Sequence, residues 1–329
     1  MKALIVRLSA MGDIVHTVPM VVALRRARPD WRIDWVVDRR HLGVLDLFPV
    51  ADEVIAIDPA GAWRHTVAVV LRLRVTAYDV VIDAQGLLKS AVLARFAGGT
   101  RTIGFTREAL REPAAVRFYS ETVAPTAADH VARQNLHLLS ALGIDDTRIE
   151  TPARAVASEV ADDVQQATGT RYGVINPGAG WLNKQWPPEK FGAVAAAIQK
   201  SHGLPWVAVW GPGEEALARR VEESSSGAAM LAPPTELADL MALVQRAAIV
   251  VAGDTGPVHL AAAAGTPVVG LYGPTNPARN GPWSPEDICV SRFDRCECHH
   301  KRRCTAAAWC LDTIAVDEVI GAVERRLLD

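Results

Sequence analysis

With 329 residues, half of them hydrophobic and 22% charged, the chain is long enough for two hydrophobic cores and too apolar to remain disordered. A formal charge of −2 excludes the strong basic excess of a nucleic-acid binder. No run of about 20 apolar residues is present to span a bilayer. The opening Met-Lys-Ala-Leu-Ile-Val-Arg lacks the apolar stretch and cleavage pattern of a signal peptide, so a cytoplasmic location is expected, with peripheral membrane contact left open.

In chain order, residues 3–8 read as a short strand and 15–26 as a helix, followed by strands at 33–37 and 54–57 and a helix at 63–73. The β-branched run at 79–83 predicts a strand buried on both faces, with a helix at 87–96 and a strand at 102–105 after it. A helix over 129–142 ends at Gly143, a residue suited to the left-handed turn that closes helices. Residues 144–168 are polar and mixed, with a helix near 158–167, and the connection between two lobes is placed here. The alternation then restarts, with strands at 172–176, 206–210, 249–252 and 268–272 and helices at 188–200, 214–223, 237–247 and 258–264. A last amphipathic helix over 316–328 has Val316, Ile320, Val323 and Leu327 on one face. Repeated strand–helix alternation predicts two α/β lobes with parallel sheets, and ligands bind such sheets beyond the C-terminal strand ends. A central cleft between two facing lobes is the expected site.

Five segments carry residue types suited to chemistry. After the first strand, Met11-Gly12-Asp13 has one glycine, not the three of a dinucleotide cradle. Asp13 at a helix start would be kept ionised and aimed by nearby amides, and an ionised acid in a cleft can act as a general base. The plain alternative is a helix cap, with His16 an ordinary helix residue. Asp254-Thr255-Gly256-Pro257 follows the strand at 249–252 and opens a helix whose free amides suit a phosphate, with His259 on the same first turn. The alternative there is a capped structural helix. In the loop Asn176 to Pro187, small residues leave room for a ligand, Lys184 brings charge for a diphosphate, and Trp186 anchors by packing. Glu214 and Glu215 follow another strand, where a carboxylate can take a ribose diol or simply favour a helix start. In the first half, Gln85, Lys89, Arg107 and Arg111 follow the strand at 79–83, with Arg117 beyond, and suit an anionic acceptor unless they are ordinary surface groups.

The cysteines lie after residue 288, and Cys296, Cys298, Cys304 and Cys310 share one stretch with His299 and His300. A structural zinc site, disulfides, or reduced thiols in a packed loop are all open, with Arg295, Lys301, Arg302 and Arg303 placed to offset thiolate charge. No Asp-x-Asp pair is present, which favours catalysis without a metal.

These stretches, in order and spacing over nearly the whole chain, resemble the bacterial lipopolysaccharide heptosyltransferases of glycosyltransferase family 9, most of all the type I branch. The resemblance rests on Met11 to Thr17, Asp83 to Leu87 with Lys89-Ser90, Arg111-Glu112-Pro113, Lys184 to Pro187, Trp210-Gly211, and Asp254-Thr255-Gly256 with His259. It implies a GT-B architecture of two Rossmann-like lobes: residues 1–155 for the acceptor, 156–312 for the donor, and a helix at 313–329 returning toward the first lobe. It implies inverting transfer of heptose from an ADP-activated donor to the Kdo residue of Kdo–lipid A, an anionic glycolipid at the inner membrane surface, by a monomer needing no cofactor. By resemblance Asp13 is the base, Lys184, Thr255 and Gly256 hold the donor diphosphate, Asp254 and His259 lie at the donor site, and Glu214 or Glu215 binds ribose. Two features depart from the family pattern: Pro177-Gly178-Ala179-Gly180 stands where a threonine-rich loop is usual, and the tail is rich in cysteine. Another nucleotide sugar or acceptor, or a nucleotide-sugar epimerase of the same fold, is the competing expectation.

Overall fold

A computed structural model describes every residue except Pro59, Ala62, Ala127, Ala128, Thr170, His300, Arg303, Thr305, Ala307, Ala308 and Asp329, and the side chains of Trp63 and His65. The chain divides into two compact units, Met1–Arg154 and Ala155–Asp329.

The first unit contains strands β1 (Lys2–Val6), β2 (Arg32–Asp38), β3 (Glu53–Ile57), β4 (Val80–Asp83), β5 (Arg101–Phe105) and β6 (Glu121–Val123). Its helices are α1 (Met11–Val15), α2 (Val18–Ala27), α3 (Leu42–Leu47), α4 (Trp63–Thr76), α5 (Leu88–Phe96) and α6 (Val131–His137). The second contains α7 (Glu159–Thr168), β7 (Gly173–Asn176), α8 (Pro188–His202), β8 (Trp206–Ala208), α9 (Glu215–Ser224), β9 (Ala229–Leu231) and α10 (Leu237–Arg246). It continues through β10 (Ile249–Gly253), α11 (Gly256–Ala264), β11 (Val268–Tyr272), α12 (Pro277–Asn280), β12 (Ile288–Ser291) and α13 (Val316–Leu328).

Among the described residues each unit holds one six-stranded sheet, ordered β3-β2-β1-β4-β5-β6 and β12-β11-β10-β7-β8-β9, and all the pairings are parallel. In both units the order reverses between the first strand and the fourth, which is the point where open parallel sheets leave their C-terminal ends uncovered. The register puts Val6 opposite Asp83 in one sheet and Asn176 opposite Ala252 in the other.

The second sheet is covered on both faces because its central strands are apolar along nearly their whole length. Ile249 and Val251 of β10 join Phe191 of α8, Ala218 of α9 and Val319 of α13 on one side. Val250 and Ala252 join Val164 of α7, Leu243 of α10 and Ala261 of α11 on the other. The period-two alternation of a strand accounts for this division. The closing helix α13 lies on α8 and on β10 to β12, with Val319, Ala322 and Val323 buried.

Two expectations are corrected in detail. The helix at 15–26 is two helices, with His16 closing α1 and Thr17 opening α2. Pro19 has no N–H to continue the helical ladder back to residue 15, so the chain restarts there. Strands β6, β9 and β12 were not anticipated; each lies at a sheet edge and is three or four residues long. Gly143 does take the left-handed conformation, at φ 68°, after the 3₁₀ turn Leu138–Leu142 that ends the expected helix.

Gly173 begins β7 beneath the fully buried Trp206, and a Cβ there would stand 2.4 Å from the indole ring. Gly173→Ala is therefore expected to lower the unfolding free energy of the second unit by about 1–3 kcal/mol, the usual cost of overpacking a core. Urea denaturation followed by tryptophan fluorescence reads this, and an unchanged midpoint contradicts the close packing.

Candidate functional site

In the first unit the functional side chains gather where β1 and β4 end. Arg7 directly follows β1, is only 5% exposed, and donates from Nη1 to the Ala84 carbonyl in the loop after β4. Its Nη2 lies 2.8 Å from Asp13 Oδ1, while 42% of the Asp13 side chain remains exposed. Asp13 is thus held from behind by a buried cation and open to solvent in front. Its Oδ2 also accepts from the Ala10 N–H at 3.3 Å. Ala10 is the cap residue that precedes α1, so Asp13 acts from the third helical position and is not itself the cap residue. Gln85 Oε1 accepts from the Leu8 N–H at 2.8 Å and ties the two loops together. His16 is buried and meets His130 edge to face at 5.0 Å, so the imidazole of this segment belongs to the interior.

Asp83, the last residue of β4, is fully buried and receives Tyr119 Oη at 2.8 Å, Ser90 Oγ at 2.9 Å and the Gln85 and Gly86 amides at 2.9 and 3.2 Å. Burial pushes its carboxyl above the ordinary range despite these donors. Gly104 leaves space for the Tyr119 ring, since a Cβ there would come within 2.3 Å of it. The expected acceptor cations lie nearby in the fold. Lys89 is in the first turn of α5, and Glu112 accepts from the Leu88 N–H at 2.6 Å, docking the Arg107–Arg111 loop on that helix start. Lys89, Arg107 and Arg111 are exposed.

In the second unit the counterpart ends are those of β7 and β10. Gly253 ends β10, and a Cβ there would stand 2.8 Å from the Lys184 carbonyl, so the glycine admits the Lys184 loop to the strand end. Lys184 Nζ then reaches Asp254 Oδ2 at 2.6 Å, and His259 Nε2 lies 3.3 Å from Asp254 Oδ1. Burial would push the Asp254 carboxyl up, but His259 and Lys184 together hold it well below the usual carboxylate range. An ammonium has three protons, so Lys184 can keep Asp254 and still serve a ligand oxygen. Its Nζ also sits 4.5 Å above the Trp181 ring.

Thr255 is extended and precedes α11, with Gly256 and Pro257 as the first two helical residues. Amides at such a start lack intrahelical partners and face outward. Asn176 Nδ2 donates to Thr255 Oγ1 at 3.1 Å and so links the ends of β7 and β10. Glu214 and Glu215 separate clearly. Glu215 pairs with Arg219 at 2.7 Å on the exposed face of α9. Glu214 Oε2 accepts from the Gly211 N–H at 3.2 Å and lies against Gly178, where a Cβ would come within 2.0 Å of it. The room expected at Gly178 for a ligand is therefore filled by the Glu214 carboxylate, while Gly180 faces open space. Trp186 anchors the loop as expected: it is 1% exposed, packs on Phe191 at 4.8 Å and donates to the Ile314 carbonyl at 3.2 Å.

The cysteines are all reduced. Among the described residues no group of three or more His, Cys, Asp and Glu side chains is arranged around a metal position. His300 and Arg303, named with that stretch, lie outside the described residues. Among the described residues no helix is long and apolar enough to cross a membrane. The residues that sequence reasoning missed are Arg7, Tyr119 and Asn176. Arg7 alone carried a signal, a charge placed directly at the end of an apolar strand.

A model of glycosyltransferase family 9 (heptosyltransferase) matches residues 66–310. Lipopolysaccharide heptosyltransferase 1 of Pseudomonas aeruginosa is 31% identical over 322 residues, spanning 93% of this chain and 88% of that protein. The solved E. coli heptosyltransferase WaaC with ADP superposes with a TM-score of 0.79 at 26% identity, over 99% of this chain and 100% of that one. A family 9 glycosyl transferase from Veillonella parvula superposes with a TM-score of 0.86 at 25% identity, over 99% and 97%. The architecture expected from the resemblance, two Rossmann-like parallel sheets of GT-B type, is the one observed.

Removing one partner of a buried ion pair strands the other. Lys184→Met leaves Asp254, whose side chain is 6% exposed, with His259 alone. The expected cost is about 3 kcal/mol in the second unit's unfolding free energy, typical of a broken buried pair. A loss below about 0.5 kcal/mol would place the pair with ordinary surface ion pairs.

Proposed function

The chain belongs to glycosyltransferase family 9, the heptosyltransferases, and on that premise we propose that it transfers a heptose from an ADP-activated donor to a lipopolysaccharide inner-core acceptor. The specific reading is inverting transfer from ADP-L-glycero-β-D-manno-heptose to the Kdo residue of Kdo–lipid A, without a catalytic metal. The observation that carries it is the pair of functional strand ends: an exposed carboxylate backed by Arg7 in one unit, and a helix start flanked by Lys184 in the other.

In this reading the donor diphosphate lies on the amides at Thr255 and Gly256 with Lys184 against it, and Asp254 and His259 fix that lysine. Glu214 takes the ribose hydroxyls, because its carboxylate is at the β7 end while that of Glu215 is occupied by Arg219. Lys89, Arg107 and Arg111 receive the anionic groups of the acceptor, and Gln85 orders the loop between them and Asp13. Asp13 removes the proton of the acceptor hydroxyl as its oxygen bonds to the anomeric carbon. The bond to the diphosphate breaks on the opposite face, and ADP departs with the electron pair. Positioned reactants lower the barrier by proximity, and fixed donors stabilise the growing charge on the leaving group. Arg7 keeps the Asp13 carboxylate aimed. The protein works as a monomer on the cytoplasmic side, meeting its glycolipid at the membrane surface.

Mass spectrometry of reactions pairing ADP-heptose and other nucleotide sugars with a Kdo–lipid A analogue tests the assignment; product from a different donor alone overturns it. Asp13→Asn is expected to lower turnover about 10²–10⁴-fold, the usual worth of a general base, with ADP affinity unchanged. Near-normal turnover excludes Asp13 as the base. Glu214→Gln should weaken ADP binding about tenfold, or ~1.4 kcal/mol, while Glu215→Gln leaves it unchanged; equal effects contradict the ribose assignment.

A further inference from the structure

The diphosphate of a nucleotide sugar bears a negative charge on each phosphate, and the loop assigned to it offers little to meet them. Residues 177–184 read Pro-Gly-Ala-Gly-Trp-Leu-Asn-Lys, with no hydroxyl and with Lys184 as the one charged side chain. That ammonium already faces the ionised Asp254 carboxylate at 2.6 Å, which offsets its charge. The amides that open α11 add the equivalent of roughly half a charge. A further cation would balance the site, and the cysteine-rich segment brings one to the same loop.

The guanidinium carbon of Arg302 lies 5.8 Å from the centre of the Trp181 ring, and Lys184 Nζ lies 4.5 Å from that same centre. Two like charges are thus gathered on one indole, within ~10 Å of each other, about a Debye length at 0.1 M salt. Alone they repel; an anion within reach of both turns that repulsion into attraction. We propose that Arg302 is a donor-binding residue that, with Lys184, clamps the two phosphates of the ADP-activated donor, and that Trp181 is the platform for both cations. The assignment rests on the donor reading, and its tests separate the two.

The fold fixes Arg302 from its backbone. Asn183 is 1% exposed and stands next to Lys184 in the turn Leu182–Lys184. It donates from Nδ2 to the Lys301 carbonyl at 2.9 Å and to Cys298 Sγ at 3.6 Å. The Lys301 N–H closes a turn onto the Cys298 carbonyl at 3.1 Å. Arg302 is the next residue, so a buried contact at its neighbour sets its side chain down at Trp181. Guanidinium suits this place better than ammonium. Its planar face packs on an aromatic ring while the N–H groups at its edge stay free for phosphate oxygens, two at a time. Arg302 is exposed, which leaves those groups open to a ligand. The same pair of cations would meet the charge that grows on the diphosphate as it leaves.

Calorimetry with ADP on the full chain tests the clamp, with adenosine measured by displacement of ADP. Arg302→Ala is expected to weaken ADP binding about 10–100-fold, the usual worth of a hydrogen bond to a charged group, and to leave adenosine unaffected. Arg302→Lys should regain part of the loss. Arg295→Ala, exposed in the same segment, should change neither affinity. An Arg302→Ala effect on ADP below about twofold overturns the clamp, as does an equal loss for ADP and adenosine, which would mark a packing role. In the wild type, ADP should protect Arg302 from phenylglyoxal, read by peptide mass spectrometry. Modification at an unchanged rate under saturating ADP overturns the clamp even if the variants misfold. Wild type that binds ADP without need of Arg302 leaves the donor reading standing, whereas wild type that binds no ADP overturns both.

Discussion

A parallel sheet needs a crossover after every strand, and where the strand order reverses the crossovers leave to opposite faces. That constraint shapes both units of this protein. It leaves the C-terminal ends of β1 and β4, and of β7 and β10, uncovered by their own helices. Polar groups placed at those ends are close to apolar interiors and must be paired or hydrogen-bonded. Both units meet this by setting a charge directly after the strand and answering it from the neighbouring loop: Arg7 with Ala84 and Asp13, and Asp254 with Lys184 and His259.

Two buried acids show how differently such positions are used. Asp83 is surrounded by neutral donors, and burial still drives its carboxyl toward the protonated form. Asp254 is nearly as enclosed but faces Lys184 and His259, and it stays ionised. Opposite charge outweighs desolvation in one case, and hydrogen bonds fail to outweigh it in the other. The difference suits their places. Asp83 ties β4 to Tyr119 and Ser90 and orders the loop that follows the strand. Asp254 fixes the Lys184 ammonium at 2.6 Å. Glycines complete both arrangements, with Gly104 under Tyr119 and Gly253 under the Lys184 loop.

Central strands and most helices were legible because a strand buried on both faces must be apolar at every position. The run at Val268–Tyr272 and the closing helix Val316–Leu328 were read with the observed limits. Edge strands such as Glu121–Val123 were not legible, since a half-covered strand of three residues has too few positions to show a period. Candidate site residues near strand ends could be named from the chain: Asp13, Asp254, Thr255 and Lys184. Their partners could not. Arg7 meets Asp13 and Ala84 only because β1 and β4 are neighbours, and Asn183 meets Cys298 across 115 residues of chain. Adjacent glutamates illustrate the same limit. Nothing local separates Glu214 from Glu215, yet the helix start turns one toward Gly178 and the other toward Arg219.

The account's central claim is that the helix start at Thr255 and Gly256, with Lys184, holds the diphosphate of the donor. A crystal structure of the protein with ADP tests it most directly. The account predicts diphosphate oxygens within hydrogen-bond distance of Lys184 Nζ and the first amides of α11, with ribose hydroxyls on the Glu214 carboxylate. A diphosphate held instead by Lys89, Arg107 and Arg111 in the first unit would contradict it.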